Sequence, residues 1–214
     1  MSTLNIFNYT KILKNNTVLQ SVSLSAKQGE CIGIVGSNGS GKTMLLRAIA
    51  GLIKPTSGYV AIDEKIICKD ISFPPSIGIV IENVGLWPYY TGRENLLRLA
   101  EIKHLIRQTE VDAAIRCVGL DPEDKRPYRK YSLGMKQRLA VAQAIMEKPD
   151  LLLLDEPTNA LDEEGITCIR QIILEEKQRG AIIVLTSHNH DDIALLCDRV
   201  YRMTDGKLAE EEAK

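Results

Sequence analysis

No unbroken apolar run in this chain of 214 residues reaches the roughly 20 residues that a membrane-spanning helix needs. Nor is there a surplus of positive charge. Lys plus Arg is 27 against Asp plus Glu at 28, which argues against a nucleic-acid binder held by a broad basic field. Cysteine is present but not patterned. The five (Cys31, Cys68, Cys117, Cys168 and Cys197) are scattered with no CxxC pair, so they read as buried thiols of a cytosolic protein and not as disulfides or zinc ligands. There are no internal repeats. The start, Met1-Ser2-Thr3-Leu4-Asn5, does not read as a signal peptide, so any membrane role is expected to come through a partner chain. What remains, at 44% hydrophobic and 26% charged, is an ordinary globular composition, long enough for one domain or one domain with an inserted lobe.

The most informative segment is Gly36-Ser37-Asn38-Gly39-Ser40-Gly41-Lys42-Thr43, a complete phosphate-binding loop. Its glycines let the backbone wrap closely, so that successive N–H groups point at phosphates. Lys42 brings a cation to the β- and γ-phosphates of a nucleotide, and the Thr43 hydroxyl is a ligand for Mg²⁺. An apolar strand, Glu30 to Val35, runs into the loop, and a helix from Met44 to Leu52 is expected to run out of it. That helix's N-terminal dipole favours an anion.

Elsewhere the apolar pattern predicts strands at Leu4 to Tyr9, Val22 to Ala26, Gly58 to Ile62, Ile77 to Ile81, Leu151 to Leu154, Ile182 to Thr186 and Arg199 to Met203. Asn15-Asn16 and Asp205-Gly206 read as turns. From Arg93 to Met146 the pattern is helical, with a capping-box reading at Thr109 to Asp112 and Gly119 as a helix end. A helix from Glu163 to Arg179 is expected to stop at Gly180. The acidic end, Glu210-Glu211-Glu212, reads as a frayed tail. The order predicts an α/β core with a mainly parallel sheet and a helical insertion near residues 83–148.

Leu151 to Leu154 lead directly into Asp155-Glu156. A strand buried on both faces tolerates charge only where it emerges, and in open parallel sheets the ligand crevice lies at the C-terminal ends of the strands. Asp155 is therefore expected to face Mg²⁺ beside Thr43, with Glu156 placed to polarise an attacking water. The alternative is a solvated acidic turn, which the complete phosphate loop disfavours.

Three further motifs follow in order: Tyr131-Ser132-Leu133-Gly134-Met135-Lys136-Gln137-Arg138, then Asn159-Ala160-Leu161-Asp162, then Thr186-Ser187-His188. With the loop and the carboxylate pair, this series resembles the ATP-binding subunit of ABC transporters over nearly the whole chain, from Leu4 to about Leu208. The resemblance implies a P-loop NTPase fold. Its RecA-like core would span 1–82 and 149–214, with an N-terminal antiparallel β part and a helical subdomain over about 83–148. It implies an ATPase using ATP and Mg²⁺, paired with a second ATPase subunit and with transmembrane permease subunits, on the cytoplasmic face of the cell membrane. The implied function is to power a transporter, an exporter of peptide or drug-like cargo. A soluble ABC ATPase in an assembly role is the competing reading.

By the same resemblance, Ser132 and Gly134 contact the γ-phosphate held by the opposite subunit. His188 contacts the γ-phosphate and helps hold the attacking water. Asp162 belongs to the loop that links the two sites. Leu133 and Met135 depart from the commonest Gly and Gln. The adenine-stacking position falls on Leu13, which is not aromatic; Tyr9 lies nearby, out of register, and reads equally as a strand residue. Glu82 stands where a Mg²⁺-ligating glutamine is usual, and resembles exporters that confer immunity to lantibiotic-type peptides. His104 and His190 have no such placement. Leu86-Trp87-Pro88-Tyr89-Tyr90 reads either as a hydrophobic anchor for the helical lobe or as the groove that receives a coupling helix.

Overall fold

The structure, a computed structural model, describes residues 2–81 and 85–211. A long hairpin begins the chain: β1 (Thr3–Leu13) and β2 (Asn16–Lys27) pair antiparallel around a turn at Lys14-Asn15, both with positive φ. β4 (Ser57–Ile62) and β5 (Lys65–Ile66) complete a four-stranded sheet of order β2-β1-β4-β5. A second sheet has the order β10-β9-β3-β8-β7-β6, from β3 (Cys31–Val35), β6 (Ile77–Val80), β7 (Leu151–Asp155), β8 (Ile182–Thr186), β9 (Arg199–Thr204) and β10 (Lys207–Glu211). Its strands run parallel except β10, which pairs antiparallel to β9.

The continuous apolar strands of this second sheet follow from burial on both faces. In β7, Leu152 and Leu154 join one core with the helices α2 (Gly92–Lys103), α3 (Gln108–Cys117), α4 (Leu133–Ile145) and α5 (Glu163–Arg179). Leu151 and Leu153 join the other core, with α1 (Lys42–Ile49) and the antiparallel sheet. Helix α4 lies so close to β6 that a Cβ at Gly78 would sit 2.0 Å from the Ala144 carbonyl oxygen. Only glycine permits that approach.

Several boundaries differ from the sequence reading. The helix after the phosphate loop starts at Lys42, inside the loop, and ends at Ile49. The helical middle is three helices plus a 3-10 turn at Tyr128–Lys130. The capping carboxylate of α3 is Glu110, which accepts from the Arg107 amide at 2.9 Å, so the helix starts two residues earlier than Thr109 implied. The acidic end is not frayed through Glu211. Glu210 and Glu211 belong to β10, paired by ions to Arg199 and Arg202 across the hairpin. A short helix, α6 (His190–Leu196), was not expected, nor were β5 and β10. α5 has the expected bounds and ends at Gly180.

Candidate functional site

The phosphate loop joins β3 to α1, and its shape is set by glycine. Gly36 has φ +153°, and a Cβ there would sit 2.3 Å from the Met203 carbonyl oxygen, an overlap that no side chain survives. The ammonium of Lys42 is nearly buried under the loop. It donates to the carbonyls of Gly36 at 2.7 Å and Ser37 at 3.1 Å. These contacts hold the cation at the mouth of the amide cradle. Ser40 Oγ is buried with no hydrogen-bond partner among the described residues, a polar atom left free inside the loop.

The parallel sheet brings the next groups to the same place. Asp155 ends β7 in register with Thr186 of β8. Its Oδ2 accepts from Thr43 Oγ1 at 2.7 Å and its Oδ1 from Thr186 Oγ1 at 2.6 Å. A carboxylate so fixed, beside a hydroxyl on the first turn of α1, is a hard oxygen donor set that fits Mg²⁺. The Thr186 hydroxyl also accepts from the Glu156 amide at 3.1 Å.

Glu156 has φ +50°, a left-handed conformation that costs a non-glycine residue on the order of 1–3 kcal/mol and persists only where its surroundings over-determine it. Here the determinants are visible. Its amide donates to Thr186, and its carbonyl and that of Pro157 both accept from Gln137 Nε2 at 3.1 Å. The strain turns the Glu156 side chain toward His188. Glu156 Oε2 accepts from the His188 amide at 3.2 Å. Oε1 is buried, makes no hydrogen bond among the described residues, and lies 3.4 Å from His188 Nε2. The same imidazole nitrogen is 2.9 Å from Asn38 Oδ1 and 3.4 Å from Lys42 Nζ. A carboxylate oxygen with unused lone pairs, next to an imidazole and facing a phosphate cradle, is an arrangement that can hold and deprotonate a water.

Asn38, Lys42, Thr43, Gln137, Asp155, Glu156 and His188 line one cleft of about 680 Å³, together with Met44, Leu133, Asn159 and Ala160. Such a volume accommodates a nucleotide. Ser132 and Gly134 are not brought to it. Ser132 caps α4, its Oγ accepting from the Met135 amide at 3.2 Å, and both residues line a separate groove with Gly119, Arg138 and Asp162. Leu133, between them, is 64% exposed and does reach the cleft wall. Asp162 caps α5 through the Gly165 amide and pairs with Arg138 at 2.9 Å, and these two contacts hold its carboxyl below the usual range.

Two sequence candidates change meaning. Tyr9 is a core residue, 1% exposed, whose hydroxyl donates to the Ile53 carbonyl at 2.8 Å, and burial pushes its pKa up. It is therefore removed as a stacking partner. Leu13 sits exposed at the tip of the hairpin, opposite Asn16, and does not line the cleft. Glu82 lies outside the described residues, and with it the lantibiotic-type comparison that rests on it. In the Leu86 to Tyr90 segment both readings find residues. Leu86 is buried, and the fully buried Asn95 side chain holds the backbone of Trp87 and Thr91. Trp87 and Tyr89 remain exposed.

The sequence reading assigned no role to Thr186 or Gln137. Both are hydrogen-bonding residues at ends of buried elements, and only strand register and helix packing show that they orient Asp155 and Glu156.

The fold and the cleft define a nucleotide-binding P-loop ATPase of the cassette type. Residues 19–159 match the ABC transporter family, and the chain belongs to it. It is 49% identical over 207 residues to the uncharacterized ABC transporter ATP-binding protein YybJ of Bacillus subtilis, covering 97% of this chain and 95% of that protein. It is 40% identical over 204 residues to the bacitracin transport ATP-binding protein BcrA of Bacillus licheniformis, covering 94% of this chain and 67% of that protein. The fold is similar to the dimeric post-hydrolysis structure of the ATP-binding cassette MJ0796 bound to ADP and Pi, with a TM-score of 0.87 and 26% identity over 99% of each chain. The chain is thus an ATP-binding and ATP-hydrolysing subunit of a transporter, from a family whose cassettes act as dimers with transmembrane permease partners.

Proposed function

We propose that this subunit powers export of a peptide or drug-like compound, working as a dimer docked on permease chains at the cytoplasmic face of the membrane. The observation that carries the hydrolytic part is the convergence of Lys42, Thr43, Asp155, Glu156 and His188 on one cleft. In this reading the amides of Gly36 to Gly41 and the Lys42 ammonium bind the β- and γ-phosphates. Thr43 and Asp155 hold Mg²⁺, which when bound neutralises phosphate charge, and Glu82 is proposed as a further oxygen ligand. Glu156 takes a proton from the attacking water, and His188 orients the γ-phosphate and that water. Ser132 and Gly134, at the N-terminus of α4, complete the site of a facing subunit, since a capped helix start offers free amides to a phosphate. Leu13, exposed at the hairpin tip outside the cleft, is kept as the candidate that would meet the base.

The division into a core over 1–82 and 149–214 and a helical subdomain near 83–148 is part of the same proposal. The exposed Trp87 and Tyr89 belong to the surface that meets the permease. The export reading is supported by the BcrA relative, which is a bacitracin transport protein by name. The test is coexpression with the adjacent membrane-protein frame. Co-purification, with ATPase activity that responds to candidate peptide cargo, is expected. A chain that purifies alone and hydrolyses ATP without regard to any permease would overturn the transport role.

A further inference from the structure

A second buried network lies beside the cleft, and its side chains are not among those that line it. Its centre is Asp192 on α6, which is 0% exposed. A carboxylate so buried needs several donors, and it has three, from the loop after β7, the loop after β8 and α5. Oδ2 accepts from Thr158 Oγ1 at 2.6 Å and from Ser187 Oγ at 2.9 Å. Oδ1 accepts from Arg170 Nε at 2.7 Å, from α5. Thr158 and Ser187 are themselves buried. Thr158 lies two residues after Glu156, and Ser187 immediately precedes His188. One carboxylate oxygen therefore ties together the two backbone segments that carry the proposed base and the proposed switch histidine.

The Glu156 backbone explains why such a tie is needed. Its left-handed conformation must be held from outside, and Gln137 and Thr186 hold only the Glu156–Pro157 side of the turn. The far side is held at Thr158, by Asp192. Ser187 Oγ also accepts from the Asn189 amide at 3.0 Å, so the segment on the other side of His188 is tied to the same group. Any carboxylate so buried needs further donors; what is specific here is that they come from the residues beside Glu156 and His188. The two hydroxyl donors give this one its link to the site.

We propose that Asp192 is a positioning residue for ATP hydrolysis, fixing the relative placement of Glu156 and His188 through Thr158 and Ser187. The inference rests on the roles proposed above for those two residues. It acts on the step and not on nucleotide capture, because the phosphate loop contributes nothing to the network. Turnover should fall while ATP affinity holds.

The test is steady-state ATPase activity beside equilibrium binding of a fluorescent ATP analogue, on the full chain. Asp192→Asn is expected to lower kcat about 10–100-fold, the range typical of groups that orient a reacting shell, with affinity within about twofold. Thr158→Val and Ser187→Ala should each lower kcat about fivefold or more, and Thr158→Ser, which keeps the hydroxyl, should restore it. In an Asp192→Ala background, which removes the acceptor of both hydroxyls, Thr158→Val should add nothing, because the tie is already cut. If Asp192→Asn does not fold, the Thr158 and Ser187 variants carry the test alone. Unchanged kcat, parallel loss of kcat and affinity, or multiplying effects in the double variant would each overturn the proposal. Glu156→Gln measured alongside separates the cases: full turnover there would remove the catalytic reading itself, whatever Asp192 does.

Discussion

Thr43 Oγ1 donates to Asp155 Oδ2 at 2.7 Å, joining the first turn of α1 to the end of β7 across 112 residues of sequence. The contact puts a hydroxyl and a carboxylate, the two oxygen types that hard divalent cations prefer, side by side at the mouth of the phosphate loop. Asp155→Asn would keep the shape and remove the charge. The Mg²⁺ concentration giving half-maximal ATPase activity is expected to rise by about tenfold or more, with lower maximal turnover. Superimposable Mg²⁺ titrations of variant and parent would show that Asp155 does not hold the metal.

Glu156 has an oxygen with no hydrogen bond among the described residues, beside His188. Glu156→Gln should retain ATP binding and reduce turnover by roughly 10²-fold or more. If ATP binding closes the proposed dimer and hydrolysis reopens it, the variant should accumulate as an ATP-bound dimer on size-exclusion chromatography. Hydrolysis at the parental rate would refute the assignment.

The base pocket gives a divergent pair. Leu13 is exposed at the hairpin tip and Tyr9 is packed in the core. If the stacking register is right, Leu13→Tyr tightens ATP binding several-fold, as expected from about 1 kcal/mol for an aromatic partner. Tyr9→Ala should instead lower stability by about 3 kcal/mol, the cost of emptying a buried ring position, measured by urea unfolding. A folded Tyr9→Phe that lost ATP affinity would restore Tyr9 to the nucleotide.

The helical lobe offers a pH-dependent prediction. Arg93 grips Asp112 with two hydrogen bonds, at 2.6 and 2.8 Å, linking α2 to α3, and these hold the Asp112 carboxyl below its ordinary range. A depressed carboxyl pKa contributes stability above the unfolded-state value, near 3.9, and loses it as pH falls through the folded-state value. Asp112→Asn is expected to cost on the order of 1 kcal/mol at pH 7, and the gap to the parent should close below about pH 4. A gap independent of pH would assign the loss to packing.

The phosphate loop was legible because its requirements are local: glycine where a Cβ meets backbone, lysine and threonine at fixed offsets. The strand at Leu151 to Asp155 was legible because burial on both faces leaves an unbroken apolar run. The acidic end misled for the opposite reason. Glu210 and Glu211 look like a solvated tail until β9 supplies both a hydrogen-bonding edge and the arginines that pair with them. Of the two readings open for Tyr9, the strand residue holds: its proximity to the expected pocket is a proximity in sequence, while the alternation of β1 turns it inward to Ile53.

By itself the sequence determined the nucleotide chemistry of this protein and the elements that bear it, since a phosphate cradle and a charged strand end are written in consecutive residues. Only the tertiary structure decided which groups meet. Thr186 reaches Asp155 because β7 and β8 pair in one register and not another. Glu156 faces His188 because Gln137, Thr186 and the buried Asp192 network hold its turn from outside. Those contacts span long stretches of chain, and their partners are ordinary polar residues. What makes them specific is their convergence on one crevice at the ends of parallel strands, which no local pattern encodes.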